Sequence, residues 1–208
     1  ESSDIEAAAE LGYTIKLLAI AKHTADGRVE ARVHPAMVPS ESLLANIHDE
    51  FNAIEIVGSA VGNQVFYGAG AGQMPTASAV VSDLVELAER KRMGATTAIG
   101  DMILDDEAAS FADIEDGVIR YFLRMRVADR PGVLSQITQL LAREEISIAS
   151  VIQKKSDGST GTAEIVVTTH KSLEADIRGG LQSLIELDSV SEIGACIRID
   201  LHDAESSE

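Results

Sequence analysis

Residues 128–137 read ADRPGVLSQI and connect an apolar run to a helical one. Pro131 fixes its own φ, Gly132 permits a tight chain reversal, and Asp129 can orient the turn. The amides that follow Gly132 open a helix, and the N-terminus of a helix attracts carboxylates. The stretch is therefore either an ordinary strand-to-helix turn or a site for a small α-amino acid, with the amine of that ligand near Asp129.

The segments on both sides of this turn alternate between strand and helix patterns. In chain order the pattern predicts strand, helix, strand, strand, helix and strand, with SDGSTG as the turn between the middle strands. The order βαββαβ over residues 118–200 indicates a ferredoxin-like domain. Its segments are RYFLRMRV, DRPGVLSQITQLLARE, ISIASVIQKK, TAEIVVTTH, SLEADIRGGLQSLIEL and SEIGACIRI.

An acidic stretch precedes this domain. Residues 93–117 contain seven acidic and no basic residues, with three glycines interspersed. This composition is typical of a linker. The tail, residues 201–208, is expected to be disordered.

Residues 1–92 predict a mixed set of elements. A helix from Asp4 to Glu10 stops at Gly12, and two strands follow, the second of which halts at Pro35 and Pro39. We expect a short capped helix at residues 40–50 and two strands with a tight turn at Gly58 to Gly62. A last helix runs from Pro75 to Arg92. The strand segments are YTIKLLAIAKH, GRVEARVHPAMV and NAIEIVGSAVGNQVFYG.

Composition limits the fold class and the partners. The chain has 208 residues, of which 3% are aromatic and none is Trp, so its cores are aliphatic and typical of helices packed on sheets. A formal net charge of −17 disfavours nucleic acid as a partner. No apolar run approaches the ~20 residues that span a bilayer, and the start ESSDIEAAAE lacks a signal-peptide pattern. We therefore predict an α+β protein of the cytoplasm, with no nucleic-acid or membrane partner.

A second glycine-rich stretch, YGAGAGQMPTASAV at residues 67–80, has two interpretations. Its glycines can let backbone amides approach a ligand at the start of the following helix. Its small residues can equally serve close packing of that helix. The spacing matches neither the dinucleotide fingerprint nor the P-loop.

Five chemically conspicuous residues are interpreted as structural. Lys16 is interpreted as structural, His34 and His48 lack a partner at ligand spacing, and Glu55 alternates with isoleucines on a strand. The only cysteine, Cys196, excludes an intrachain disulfide, agrees with a reducing compartment and is expected to be buried on a strand. No catalytic residue and no metal ligand is predicted.

The chain resembles a known enzyme family over nearly its whole length. The segments DIEAAAELGYTIKLLAIAK, RVHPAMVPSESLLANIHDEFNAIEIVG and YGAGAGQMPTASAVVSD closely resemble the carboxy-terminal half of the substrate domain of homoserine dehydrogenase. From Arg120 onward the chain resembles the ACT regulatory module that many members carry, including its Asp-x-Pro-Gly-x-Leu signature. The resemblance implies a substrate-domain part (1–92), the acidic linker (93–117), an ACT domain (118–200) and the tail (201–208).

Family members use a Rossmann domain for NADP or NAD and a catalytic Asp and Lys in a DxxGxDxxxK motif. Neither pattern occurs in this sequence, and the chain, which starts at Glu1 within a helix pattern, is expected to be a fragment. We therefore expect it to be inactive alone and to bind no cofactor alone. In the intact enzyme, the resemblance implies that Gly68, Gly70 and Gly72 face the cofactor.

ACT domains usually bind an amino acid between two copies, although some only hold subunits together. The resemblance implies L-threonine as feedback inhibitor and a homodimer or homotetramer, with the missing amino-terminal half as a further partner. The alternative is a non-catalytic amino-acid-binding and dimerising module. The predicted effector-binding residues are Asp129, Pro131, Gly132, Val133, Leu134 and Ser147.

Overall fold

The structure, a computed structural model, describes residues 1–94, 110–154 and 160–200. Most of the predicted linker, most of the SDGSTG turn and the tail lie outside the described residues. The helices are α1 (Ser2–Glu10), α2 (Gln73–Arg92), α3 (Val133–Arg143) and α4 (Glu174–Ile185). The strands are β1 (Tyr13–His23), β2 (Val29–Pro39), β3 (Phe51–Gly58), β4 (Gly62–Ala69), β5 (Val118–Ala128), β6 (Ile148–Gln153), β7 (Thr162–Thr169), β8 (Ser172–Leu173) and β9 (Val190–Ile199).

The α+β class and the βαββαβ order are confirmed. From β5 onward the elements follow as β5, α3, β6, β7, α4 and β9, with only the two-residue strand β8 added before α4. The described residues form two compact units, one drawn from Glu1–Ala45 and Ala109–Glu208 and the other from Asn46–Ala108. The larger unit thus combines the first part of the predicted substrate domain with the ACT region.

One sheet runs through the larger unit in the order β1-β2-β9-β5-β7-β6, with β8 beside β5. The antiparallel pair β1–β2 joins the ACT strands through a short parallel pairing, Ala36 with Arg198 and Met37 with Ile199. The amide of Asp200 continues this contact by donating to the carbonyl of Met37 at 2.9 Å. Strand pairing across the predicted domain boundary therefore makes a single sheet.

Both faces of this sheet are covered by helices. Alternation along β5 sends Tyr121, Leu123 and Met125 into a core with α3 and α4, where Ile137 and Leu184 are fully buried. Phe122 points to the other face and packs against Ala7 and Ala8 of α1. Since β5 is buried on both faces, its residues from Tyr121 to Met125 all have 4% exposure or less.

The smaller unit has the predicted hairpin and helix but little burial. β3 and β4 pair antiparallel from Phe51 with Ala69 to Gly58 with Gly62. None of the residues of α2 is buried. Its exposed apolar side chains, with their exposed fractions, are Met74 (75%), Val80 (54%), Val81 (57%), Leu84 (61%), Val85 (52%) and Leu87 (50%).

Two local expectations are wrong. β2 ends at Pro39 as expected, but it does not halt at Pro35. Its pairing with β9 covers only Ala36 and Met37, so Pro35 is paired with β1 alone and the sheet tolerates its missing N–H. In place of a helix at residues 40–50 there is a single 3-10 turn, Leu44–Asn46, in which the amide of Ala45 donates to the Ser42 hydroxyl. The positive φ of 56° at Asp49 is incompatible with a continuing helix.

Candidate functional site

The loop between β5 and α3 borders a cavity of about 350 Å³ at the carboxyl end of β5. Five of the six predicted effector residues line it: Asp129, Pro131, Gly132, Val133 and Leu134. Four of these are exposed, whereas Val133 is buried at 4% exposure and anchors the first turn of α3 in the core. The cavity is therefore open to solvent, with the buried Val133 side chain at its base.

Glycine is needed at position 132 for conformational reasons. Its φ is 91°, in the left-handed region, and it is the N-cap residue of α3. Its carbonyl accepts a hydrogen bond from the Gln136 amide at 3.0 Å, so the helix begins immediately after it. Since a Cβ at Gly132 would meet no atom within 4 Å, strain and not crowding selects glycine.

The N-terminus of α3 has no side-chain cap. The amide of Asp129 is used, because it donates to the carbonyl of Gly161 at 2.9 Å and ties the loop to the start of β7. The Asp129 carboxylate is exposed and does not cap the helix. The Val133 amide donates to the Arg130 carbonyl at 3.4 Å, whereas the other first-turn amides of α3 have no side-chain cap and can receive an anionic group.

Ser147 lies away from the other five residues. It is exposed, precedes β6, and its carbonyl accepts from the His170 amide at 2.8 Å. β5 and β6 both pair antiparallel with β7, so they run parallel, and the start of β6 lies at the opposite end of the sheet from the loop. The structure therefore does not bring Ser147 to this cavity within one chain.

Gln153, at the carboxyl end of β6, lines the cavity instead, together with Arg130, Ile165, Val127 and Ala128. Sequence reasoning missed Gln153. The signal was available, because strands on either side of a helix crossover run parallel and place their carboxyl ends together. Gln153 is the first polar side chain after the apolar run that ends β6, level with Ile165 on β7.

The three candidate cofactor glycines lie where β4 passes into α2. Gly70 donates to the Glu50 carbonyl at 2.8 Å, and a Cβ on it would lie 1.4 Å from Nδ2 of Asn52. Gly72 has a φ of 115° and is the N-cap residue of α2. A Cβ on Gly68 would meet no atom within 4 Å. Packing and backbone conformation thus account for Gly70 and Gly72, whereas only Gly68 leaves open space for a ligand.

A polar network with shifted pKa values lies at the other end of β5. The Tyr121 hydroxyl donates to Glu174, which also pairs with Arg198, and the Arg198 guanidinium lies 5.9 Å from the Tyr121 ring centroid. Burial raises the pKa of Tyr121. Burial also opposes ionisation of Glu174, but the hydrogen bond from Arg198 leaves its pKa lowered overall. The network joins α4 to β5 and β9, so we interpret these shifts as structural.

The remaining conspicuous residues show no shared site among the described residues. His34 is buried, with Nδ1 at 3.1 Å from the Pro35 carbonyl oxygen, and His48 is exposed. Cys196 lies on β9 as predicted, but it is exposed and not buried. Across residues 1–94, 110–154 and 160–200, no three His, Cys, Asp or Glu side chains come together as a metal site, and no helix is long and apolar enough to cross a membrane.

Comparison with known proteins supports both parts of the chain. A family model for homoserine dehydrogenase matches residues 1–85, and a model for the ACT domain matches residues 121–188. A homoserine dehydrogenase of Neisseria gonorrhoeae is 39% identical over 207 residues, which cover 98% of this chain and 47% of that protein. One of Bacillus subtilis is 38% identical over 199 residues, which cover 95% and 45%.

Solved structures agree with this assignment. A crystal structure of a homoserine dehydrogenase from Thiobacillus denitrificans superposes with a TM-score of 0.81 at 36% identity, covering 95% of this chain and 45% of that one. The S. aureus homoserine dehydrogenase at pH 7.0 gives a TM-score of 0.58 at 25% identity, with 96% and 45% covered. The fold and the loop motif define an ACT-domain protein. Residues 1–85 match the homoserine dehydrogenase family and residues 121–188 match the ACT domain, and the chain spans about half the length of the curated relatives it matches.

Proposed function

We propose that this chain is part of an NAD(P)-dependent homoserine dehydrogenase, which interconverts L-aspartate 4-semialdehyde and L-homoserine in threonine and methionine biosynthesis. Its ACT domain binds L-threonine as a feedback inhibitor. The observation that carries the proposal is the presence, in one chain, of a homoserine dehydrogenase match at residues 1–85 and an ACT match with an open loop cavity. We also propose that the enzyme is cytoplasmic.

The loop cavity has groups that suit an α-amino acid. The uncapped start of α3 suits a carboxylate, and the exposed carboxylate of Asp129 suits an ammonium group. The Gln153 amide can bond a side-chain hydroxyl, such as that of threonine, while Val127 and Ile165 form an apolar floor. Pro131, Gly132, Val133 and Leu134 act through the backbone that they shape. Because Ser147 lies at the far end of β6, its proposed contribution requires a second copy of the domain.

The glycine loop is proposed to face the nicotinamide cofactor, NADP or NAD, in the intact enzyme. Gly68 offers open space, and the N-cap of α2 at Gly72 has no side-chain hydrogen bond. Gly70 keeps the loop close to the start of β3 through Glu50. Since the chain has neither a Rossmann pattern nor the DxxGxDxxxK motif, we propose that it binds no cofactor and is inactive by itself.

The domain limits and partners follow from the same proposal. Residues 1–92 belong to the substrate domain, 93–117 to the linker and 118–200 to the ACT domain. The uncovered apolar side chains of α2, β3 and β4 support association with the missing amino-terminal half. We expect a homodimer or homotetramer of the intact enzyme.

The test is isothermal titration of L-threonine into the chain and into Asp129→Ala and Gln153→Ala variants. Their matched controls are Asp188→Ala and Gln182→Ala, which change exposed residues outside this cavity. We expect saturable binding that Asp129→Ala abolishes and both controls retain. Loss of binding in Asp188→Ala alone would place the ligand in the neighbouring cavity of about 430 Å³, which Asp188 lines. Absence of binding to the unmodified chain would contradict the effector proposal and leave the domain a structural clamp.

A further inference from the structure

Arg124 is a cation buried at the centre of the sheet. It lies on β5 with 4% exposure and points to the α1 side, whereas its neighbours Leu123 and Met125 point to the α3 and α4 side. A buried guanidinium is stable only when carboxylates and hydrogen bonds compensate its charge. The partners of Arg124 therefore determine which elements can lie beside β5.

The main partner is on the first helix of the chain. Nε of Arg124 donates to Oδ1 of Asp4 at 2.6 Å, and Asp4 has 6% exposure. A terminal nitrogen of Arg124 donates to Glu164 of β7 at 3.2 Å. The hydrogen bond with Asp4 is the largest influence that raises the pKa of Arg124. The charge is thus shared between the ACT sheet and α1, which lies outside the ACT match.

The pairing of β5 with β9 is irregular at the position of Arg124. The β5–β9 register shifts between Arg124 and Met125 and leaves Gly194 unpaired. A Cβ on Gly194 would lie 2.7 to 2.8 Å from the guanidinium atoms, so a side chain at this position would displace the Arg124 guanidinium. A second shift, between Arg126 and Val127, leaves out Ser191, whose hydroxyl donates to the Arg126 carbonyl at 3.0 Å.

These two register shifts lie in a short segment of β5, from Arg124 to Ala128, that makes a contact with another element at each end. At its start, Arg124 holds α1 through Asp4. At its end, Val127 and Ala128 line the loop cavity, and the amide of Ala128 donates to the Ser189 carbonyl at 2.8 Å. Bulges are places where a strand changes its twist, because the ladder is locally interrupted. The loop and Arg124 therefore lie at the two ends of one short stretch of β5.

We propose that Arg124 and Asp4 form a coupling contact, by which the docking of α1 on the sheet and the order of the loop at residues 128–134 stabilise each other. The inference rests on the proposed function in that an amino acid bound in the loop would be the physiological effector. Coupling is reciprocal, so an effector that favours the ordered loop also favours docked α1, and loss of docking weakens the effector by the same factor. The regulatory signal then enters the substrate-domain part through α1 and β1.

The test is amide hydrogen exchange of the 208-residue chain, with and without L-threonine, for the unmodified protein, Asp4→Asn and the control Glu10→Gln. Glu10 lies on the same helix and pairs with Lys154 in an exposed ion pair at 3.1 Å. We expect Asp4→Asn to speed exchange in α1 and, at least about fivefold, in residues 129–134. L-threonine should bind Asp4→Asn more weakly than the unmodified chain, and Glu10→Gln should change neither the exchange nor the affinity.

Two results would overturn the coupling. One is faster exchange in α1 with unchanged exchange in residues 129–134, and the other is an equal effect of Glu10→Gln. Failure of the effector proposal looks different: the unmodified chain would then bind no L-threonine while Asp4→Asn still loosened the loop, which would support the coupling by itself.

If Asp4→Asn does not fold, as judged by circular dichroism, Asp4→Glu replaces it, because the charge is kept while one methylene displaces the carboxylate. Faster exchange in α1 with an unchanged loop in that variant would equally overturn the coupling.

Discussion

The two compact units of this chain differ in how they bury apolar side chains. The larger unit covers both faces of β5, so that Phe122 and Met125 are completely buried. The smaller unit pairs β3 with β4 yet leaves Ile54 65% and Leu84 61% exposed. Regular secondary structure is present in both, so a hairpin and a long helix do not by themselves make a core. The contrast teaches that the larger unit supplies its own core, whereas the smaller unit leaves most of its apolar side chains uncovered.

The largest expected effect is on enzymatic activity. The chain alone should give no L-homoserine-dependent reduction of NADP or NAD. Co-expression with the amino-terminal half of a relative, such as the Neisseria gonorrhoeae protein, should yield a complex with measurable activity, because that half would cover the smaller unit and bring the missing cofactor domain. Activity of the purified chain alone would contradict the proposal.

Truncation of core side chains should separate the two units. Phe122→Ala removes a fully buried ring between the sheet and α1, and should lower the free energy of unfolding by about 3–5 kcal/mol. Leu84→Ala removes an exposed side chain and should change it by less than about 0.5 kcal/mol. Urea unfolding followed by circular dichroism measures both. A cost for Leu84→Ala comparable to that for Phe122→Ala would show that α2 is already covered in the chain alone.

Acidification should weaken the larger unit. Burial lowers the pKa of His34, and although burial opposes ionisation of Asp4 and Glu174, hydrogen bonds from Arg124 and Arg198 leave their pKa values lowered overall. All three groups have a lower pKa folded than unfolded, so the unfolded chain binds more protons and stability is lost as the pH falls. The loss of stability that is due to His34 should begin as the pH falls below about 6.5. The loss that is due to the two carboxylates should begin below about pH 4.

Urea midpoints measured across this pH range test that expectation, with His34→Gln as the control. The variant should lose the pH dependence near neutrality and keep the dependence in acid. Stability that rises on acidification from neutral pH would contradict the assignment.

The smallest expected effect concerns the glycine loop. Gly70→Ala places a Cβ against Asn52, whereas Gly68→Ala meets nothing within 4 Å. Only Gly70→Ala should therefore alter the hydrogen exchange of the amides in residues 70–72. The double variant Gly70→Ala/Asn52→Ala should restore normal exchange, because the crowding atoms belong to the Asn52 side chain. In the complex with the amino-terminal half of a relative, Gly68→Ala should instead raise the KM for the cofactor, because the cofactor is proposed to approach the open space at Gly68.

Short-range patterns determined much of this protein. Alternation and helical periodicity predicted the βαββαβ order, the β3–β4 hairpin and α2, whose observed start at Gln73 is two residues earlier than predicted. The Asp-x-Pro-Gly-x-Leu motif identified five residues that meet at one cavity, because they are adjacent in sequence and their turn is held by local chemistry.

Tertiary structure alone decided what depends on distant neighbours. The pairing of β2 with β9 joins Ala36 to Arg198, which lie far apart in the chain, and no periodicity reports such a contact. Gln153 replaces Ser147 at the cavity because the parallel direction of β5 and β6 places carboxyl ends together. In the sequence, Arg124 is one of several polar residues on an apolar strand, and only the fold places Asp4 and Gly194 around it. Local sequence sets the backbone conformation of each element, whereas burial and charge compensation arise only when those elements meet.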